Sequence, residues 1–442
     1  MNRRIAIFIL GVALIVPVHC GSSRAPSPRS PDDEAFLEDL SRRAFLFFWE
    51  QADPTTGLVR DRAGVNGERR TDIASIAATG FGLTALCIAA ERGWIAAEQA
   101  RERARTTLRF LAERASHKNG WFFHWMNART GAREWASEVS SIDTALLLGG
   151  VLTVRHCFDS DAEIVALATT LYERVDFPWM LNGHPTLFAH GWTPEGGFLP
   201  FRWDTYSEHM ILYLLAIASP TRPISPEAWY AWRRNPITYA GYTYIYGAPP
   251  LFIHQYSHAW IDFRGRREER GQRTDWFENS IRATRAHREF CLRLAGEFPA
   301  SYSENVWGIT ASDCLRNGQV RYCDWGGPPP PGFPRDGRID GTVVPSAAAG
   351  SLMFTPEIAL PALRTMRERF SAPYGERFYG RYGFTDAFNP TTGWVNADVI
   401  GISVGITLLS AENLRTGRVW SWFMRNPEIA RAMALIGLRP EP

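Results

Sequence analysis

From Glu34 onward, apolar residues recur three and four positions apart in one stretch after another, the period of helices that each bury a face. The spacing predicts helices over 34–51, 73–92, 95–115, 141–158, 162–174 and 207–218. After a long middle section it predicts further helices over 276–295, 356–369, 404–414 and 427–436. Connections rich in Gly, Pro and Trp, such as 191–200 and 326–334, separate them, and strand alternation is confined to 238–246, which reads as a hairpin. No charge-rich or low-complexity break interrupts residues 34–442, so they read as a single all-α domain of helical hairpins with long loops at one end. No repeat of fixed period appears, which argues against a solenoid. Helical hairpins also close into toroids, and the pattern alone does not separate the two.

Residues 1–33 have a different character. Arg3 and Arg4 precede an apolar run, 5–16, that is short for a membrane span, followed by Cys20-Gly21-Ser22-Ser23. Residues 1–20 therefore read as a signal peptide. Cys20 resembles a lipoprotein processing site, although Pro17, Val18 and His19 depart from the small residues expected there. The expectation is an exported protein, periplasmic or anchored to the outer membrane by a lipid on Cys20, with residues 21–33 as a flexible tether. Of the other cysteines, Cys87, Cys157 and Cys291 sit in apolar helical patterns, while Cys314 and Cys323 bracket a short polar loop and can pair in an oxidising compartment.

A net charge of +2 gives no field for nucleic acid. Walker, dinucleotide-binding, zinc-protease and serine-hydrolase motifs are absent, and no cofactor or metal is expected. The chain is instead rich in aromatics, at 13% with 17 Trp, and these interleave with carboxylates at the starts of apolar helices. Glu138 and Asp143 precede and open one helix, Glu208 another, and Asp386 lies in a further polar turn. Ser140 with Asp143, and Thr205 with Glu208, also fit capping boxes. A carboxylate at a helix N-terminus suits a general base, whereas one against apolar walls suits a general acid, which favours Glu208 beside Trp203 and Tyr206. Paired carboxylates among aromatic faces are the equipment of glycoside hydrolysis, and Trp203, Trp260, Trp307 and Trp394 stand near the polar motifs. The densest mixture is 249–265, with His254, Gln255, His258, Trp260, Asp262 and Arg264; it fits either a sugar-binding concavity or a buried polar knot.

Several ordered motifs resemble the bacterial glycoamylase-like family, which includes the endo-β-1,2-glucanases. They include Phe47-Phe48-Trp49-Glu50, the segments 78–83 and 137–144, Tyr206-Ser207-Glu208, the segment 250–264, Asp340-Gly341-Thr342 and Asp386-Ala387-Phe388-Asn389. The resemblance implies an (α/α)6 toroid with a carbohydrate cleft at one end and inverting hydrolysis of β-1,2-linked glucans. It further implies that Glu208, Glu138, Asp143 and Asp262 line the cleft, with Glu208 as acid, and that His254, Gln255, His258, Trp260 and Arg264 hold the sugar. One position departs. The family's Gly-Ile-Asp-Gln-Gly-Pro run reads Gly401-Ile402-Ser403-Val404-Gly405-Ile406 here, so an acidic residue is replaced by Ser403. That leaves a glycan-binding lipoprotein without catalysis, or a transglycosylase, as alternatives to a hydrolase.

Overall fold

Two kinds of helix build the protein, and their sequences tell them apart. The computed structural model describes residues 29–247 and 249–441. In chain order its helices are α1 Pro31–Gln51, α2 Ile76–Glu91, α3 Ala97–Glu113, α4 Ser141–Cys157, α5 Ala162–Glu173, α6 Phe177–Met180 and α7 Met210–Ile217. They continue with α8 Tyr256–Trp260, α9 Trp276–Leu294, α10 Pro345–Ala349, α11 Pro356–Tyr374, α12 Gly401–Thr416, α13 Arg418–Phe423 and α14 Pro427–Leu435. All of α7, and α2 from Ile76 to Ala89, are buried, as helices apolar on every side must be. In contrast, α3 and α9 each bury one stripe and turn charge outward. The basic face of α3 is more than solvated: Arg105 reaches Asp161 at 2.8 Å, and Arg109 pairs with Glu163, tying α3 to α5.

The fold is mostly α, and its ends differ from the reading of periodicity in physical detail. Ser30 caps α1, so residues 31–33, expected as tether, form its first turn. The segment expected to open α2 is a strand, Ile73–Ser75, paired with Trp125–Asn127. Glu208 and His209 precede α7 rather than lying in it, and Thr205 bonds Asp204 and Arg233 instead of capping. Ser140 does cap α4, accepting from the Asp143 amide at 3.2 Å. The expected hairpin is present as Asn235–Tyr239 against Tyr242–Tyr246. Other ribbons run only two to five residues, too short to show alternation. Three of them, Ile73–Ser75, Val139–Ser140 and Asp398–Ile400, end directly at the starts of α2, α4 and α12. The expected export signal and Cys20 lie outside the described residues.

The tryptophans are mostly structural. Glu268 is fully buried, accepts from the indoles of Trp229 (2.6 Å) and Trp276 (3.0 Å), and forms a two-oxygen pair with Arg234. The Arg234 guanidinium lies 4.0 Å from the Trp232 ring centroid, so the buried cation meets a carboxylate on one side and aromatic faces on the other.

The tightest helix contact is α2 on α4. A Cβ on Gly150 would sit 2.0 Å from the Gly80 carbonyl oxygen, and one on Gly80 would sit 2.3 Å from that of Leu146. Backbone touches backbone there, and neither side has a flexible atom to move. Gly150→Ala is expected to cost about 3 kcal/mol through overpacking. Urea denaturation measures it; a loss below about 1 kcal/mol would show that the helices can separate freely.

Candidate active site

The ribbons at the helix starts gather charge into one cleft of about 390 Å³. His124 lies between the α2 and α4 ends: its carbonyl accepts from the Ile76 amide at 3.2 Å, and its amide donates to the Glu138 carbonyl at 2.9 Å. These bonds fix the imidazole. Its Nδ1 is 3.1 Å from Glu138 and its Nε2 is 3.7 Å from Asp143, and the ring stacks on Trp125 at 4.1 Å. Burial disfavours the imidazolium, but Asp143, Glu138 and Asp61 together outweigh it and raise the pKa to about 9. His124, Glu138 and Asp143 also offer atoms within 4.8 Å of one another, the spacing of a cation site. A protonated His124 would itself supply positive charge at that point.

On the neighbouring wall, Arg62 pairs with Asp61 at 2.9 Å and with Asp313 at 3.0 Å. The Asp61 carbonyl accepts the first amide of α12, from Gly401, at 2.7 Å. Burial raises the Asp61 pKa, against the pull of Arg62.

Glu208 faces this same cleft and is nearly buried. No cation pairs with it among the described residues; its carboxylate accepts from the Ser207 hydroxyl. Burial raises its pKa, and the negative charge of Asp143 adds to the rise. Ser257 holds it from behind, donating to the Glu208 carbonyl while accepting from the Ile211 amide at 3.0 Å.

Of the residues expected to catalyse, Glu208 and Asp143 line the cleft, and Glu138 supports it through His124. The expected sugar contacts lie elsewhere. His254 bonds the Tyr206 hydroxyl at 3.1 Å, and His258 bonds Ser280 at 3.1 Å; burial lowers both imidazoles to about 3, so both are neutral. Gln255 donates to Ala347 and Ser351, each at 2.9 Å, and the buried Trp260 donates to Thr84. The polar knot is therefore what residues 249–265 form, and from it only Phe252 and Tyr256 reach the cleft. Asp262 and Arg264 pair with each other at 2.8 Å, with Arg264 over Trp420, outside the cleft lining. Trp203 is buried with its indole on Ser141, Trp307 is fully buried, and the half-buried Trp394 is not in the lining.

Asp386 is buried behind the wall, where its carboxylate accepts from the Asp313 amide at 2.8 Å. Burial and the Asp313 charge raise its pKa. Ser403 lies with Asp386 along a small cavity of about 20 Å³, while its neighbours Ile400 and Ile402 line the cleft. Asp398 does not stand in for the missing acid, because it pairs with Arg70 at 2.7 Å. Cys314 and Cys323 are bonded, closing the hairpin Ser312–Arg316 with Gln319–Cys323; Cys87 and Cys291 are buried thiols and Cys157 is half-buried. Asp61, Arg62, His124, Trp135 and Tyr322 line the cleft without having been expected there.

Paired carboxylates and aromatic faces converging in one cleft are the equipment of glycoside hydrolysis. The chain belongs to the glycoamylase family: residues 200–427 match the family model described as "Putative glucoamylase". It is 28% identical over 444 residues to an exo β-1,2-glucooligosaccharide sophorohydrolase (non-reducing end) of Parabacteroides distasonis. That match covers 91% of this chain but 58% of the relative, so the chain spans little more than half of that protein's length. An endo-β-1,2-glucanase from Chitinophaga pinensis, solved with sophorotriose and glucose, superposes with a TM-score of 0.83 at 27% identity, covering 92% of this chain and 98% of that one. An endo-β-1,2-glucanase variant from Talaromyces funiculosus, solved with β-1,2-glucan, shares the fold at 14% identity, with a TM-score of 0.63 over 91% of each chain.

The raised pKa of His124 has a stability consequence. Its contribution is fully present below the ordinary value of 6.5 and is lost as pH rises through about 9. His124→Asn is therefore expected to cost about 1–3 kcal/mol near neutral or lower pH and markedly less at about pH 10. Denaturant melts of both proteins across that range read the difference; a cost independent of pH would contradict the charged state.

Proposed function

We propose that this chain is a glycoside hydrolase acting on β-1,2-linked glucan, built on an (α/α)6 toroid. The observation that carries the reading is the contrast between two carboxylates sharing one cleft. Glu208 is buried and has no cationic partner among the described residues, and burial raises its pKa, the direction a general acid requires. Asp143 sits in the first turn of α4, where the helix dipole favours a carboxylate, with the His124 imidazolium beside it. In this reading Glu208 protonates the leaving glycosidic oxygen while Asp143 draws a proton from the attacking water, giving inversion at the anomeric carbon. Glu138 and His124 position Asp143, and Arg62 keeps the opposite wall polar. Replacement of the family's acid by Ser403 leaves Asp61, Asp143 and Glu208 on the cleft, which favours hydrolysis over binding alone. Export and a lipid anchor at Cys20 complete the proposal, with glucan met outside the cytoplasm.

Reducing-end release from β-1,2-, β-1,3-, β-1,4- and α-1,4-glucans tests it. Activity is expected on the β-1,2 polymer, with Glu208→Gln lowering kcat by about 10²–10⁴-fold. Because the acid must be protonated, the rate falls as pH rises through the elevated Glu208 pKa, and the Glu208 part of this limb is expected to be absent from the residual activity of Glu208→Gln. Undiminished hydrolysis by Glu208→Gln would remove the acid assignment.

A further inference from the structure

Exposed aromatic side chains are ordinary singly on an open surface and informative where they line a concave cleft. Among the described residues, two that stand more than half exposed also line the cleft: Trp135 at 63% and Tyr322 at 54%. They come from unrelated loops. Trp135 stands on the His124 side, edge-on to Trp125 with centroids 5.5 Å apart, and Trp125 in turn stacks on His124. Tyr322 stands on the Arg62 side, directly opposite Asp313 in its hairpin, so the two share a ribbon face, and Asp313 is the partner of Arg62.

Backbone geometry sets Trp135 apart further. It lies at φ +53°, followed by Ala136 at φ +52°, in the left-handed region that a bulky side chain adopts only under constraint. The constraint is visible. Arg133 donates to the carbonyls of Ala136 and Ser137, pairs with Glu195 at 2.6 Å and lies over the Phe123 ring. Glu134 accepts from the Asn127 amide group at 3.0 Å. The loop is thus braced on both sides of an indole that packs against little. Tyr322 is braced as well, because the Cys314–Cys323 bond closes its hairpin at the adjacent residue. Bracing that holds exposed aromatics still makes sense if a ligand face completes their packing.

We propose that Trp135 and Tyr322 are stacking subsites for two glucosyl rings on opposite sides of the catalytic carboxylates, and that they set the length of glucan the cleft prefers. This rests on the glucan-hydrolase reading above. A β-glucopyranosyl ring carries its hydroxyls equatorially and leaves flat C–H faces, which match an indole or phenol face. Glu208 and Asp143 line the cleft along with both aromatics, so a longer chain gripped at Trp135 and Tyr322 presents a linkage within the stretch between them to the acid, whereas the shortest substrates do not span both.

The test uses two readouts on the full-length protein. The first is kcat/KM for β-1,2-gluco-oligosaccharides of increasing length. Trp135→Ala and Tyr322→Ala are each expected to lose about 10-fold on long oligosaccharides and to converge with the parent on the shortest one cleaved. The second is oligosaccharide affinity by tryptophan fluorescence in Glu208→Gln, with and without Trp135→Ala, using the β-1,2 series and β-1,3 and β-1,4 controls. Trp135→Gly is expected to melt at or above the parent's temperature while binding as weakly as Trp135→Ala, the mark of strain kept for a ligand. Parent hydrolysis with an unchanged length profile in both alanine variants overturns the subsites and leaves the hydrolase reading standing. Sugar binding that depends on Trp135, without hydrolysis by the parent, overturns the hydrolase reading and supports the subsite. Absence of both binding and hydrolysis overturns both.

Discussion

The approach of α2 to α4 through Gly80 and Gly150 is the constraint on which the cleft depends. With no Cβ at either position, the two helices meet backbone to backbone, and their N-terminal ends are held side by side. His124 then bonds to both ends, reaching the Ile76 amide with its carbonyl and the Glu138 carbonyl with its amide. Any increase in helix separation would be felt first at this bridging residue. The Ser75 and Ser140 caps fix where each helix begins, and hence where Asp143 emerges. Glycine spacing in an apolar helix thereby becomes carboxylate spacing in a polar cleft.

Charge in the cleft is divided by this scaffold into two environments. Asp143, Glu138, Asp61 and Asp313 each stand next to a cation, either the imidazolium of His124 or the guanidinium of Arg62. Glu208 meets none among the described residues and is enclosed by apolar walls, so burial pushes it toward its neutral form without the opposing pull of a cation that Asp61 has from Arg62. Titratable groups driven apart by their surroundings are what acid and base roles require. The segment 249–265 contributes from behind. Ser257 grips the Glu208 backbone and His254 grips Tyr206, two residues earlier, so the neutral imidazoles serve as fixed hydrogen-bonding struts.

Helices are legible in the sequence because a buried face repeats every three to four residues, and this repeat places α4, α5, α9 and α14 almost to the residue and α1 and α3 within three. Boundaries next to the site are less legible: Ile73–Ser75 is as apolar as a helix turn but pairs as a strand, because Trp125–Asn127 is there to receive it. Glu208 and Asp143 are readable from their place before apolar helices. The density of polar residues in 249–265 suggests ligand contact, yet a polar side chain whose bonds are all met inside the protein looks the same in sequence as one facing sugar. Asp61 and His124 carry no local pattern, since their meeting depends on ribbons formed by distant segments. Trp135 does carry a signal, as an aromatic in a loop with no apolar period around it. Trp229, Trp232 and Trp276, by contrast, enclose the buried Arg234–Glu268 pair, so the tryptophan count alone says little about sugar.

The most direct measurement is a crystal structure of Glu208→Gln with a β-1,2-gluco-oligosaccharide bound. The account predicts a glycosidic oxygen within hydrogen-bonding reach, about 2.6–3.2 Å, of the side-chain amide that this substitution introduces, with glucosyl rings against Trp135 and Tyr322. A sugar bound with no linkage near position 208, or held at another surface of the protein, would contradict it.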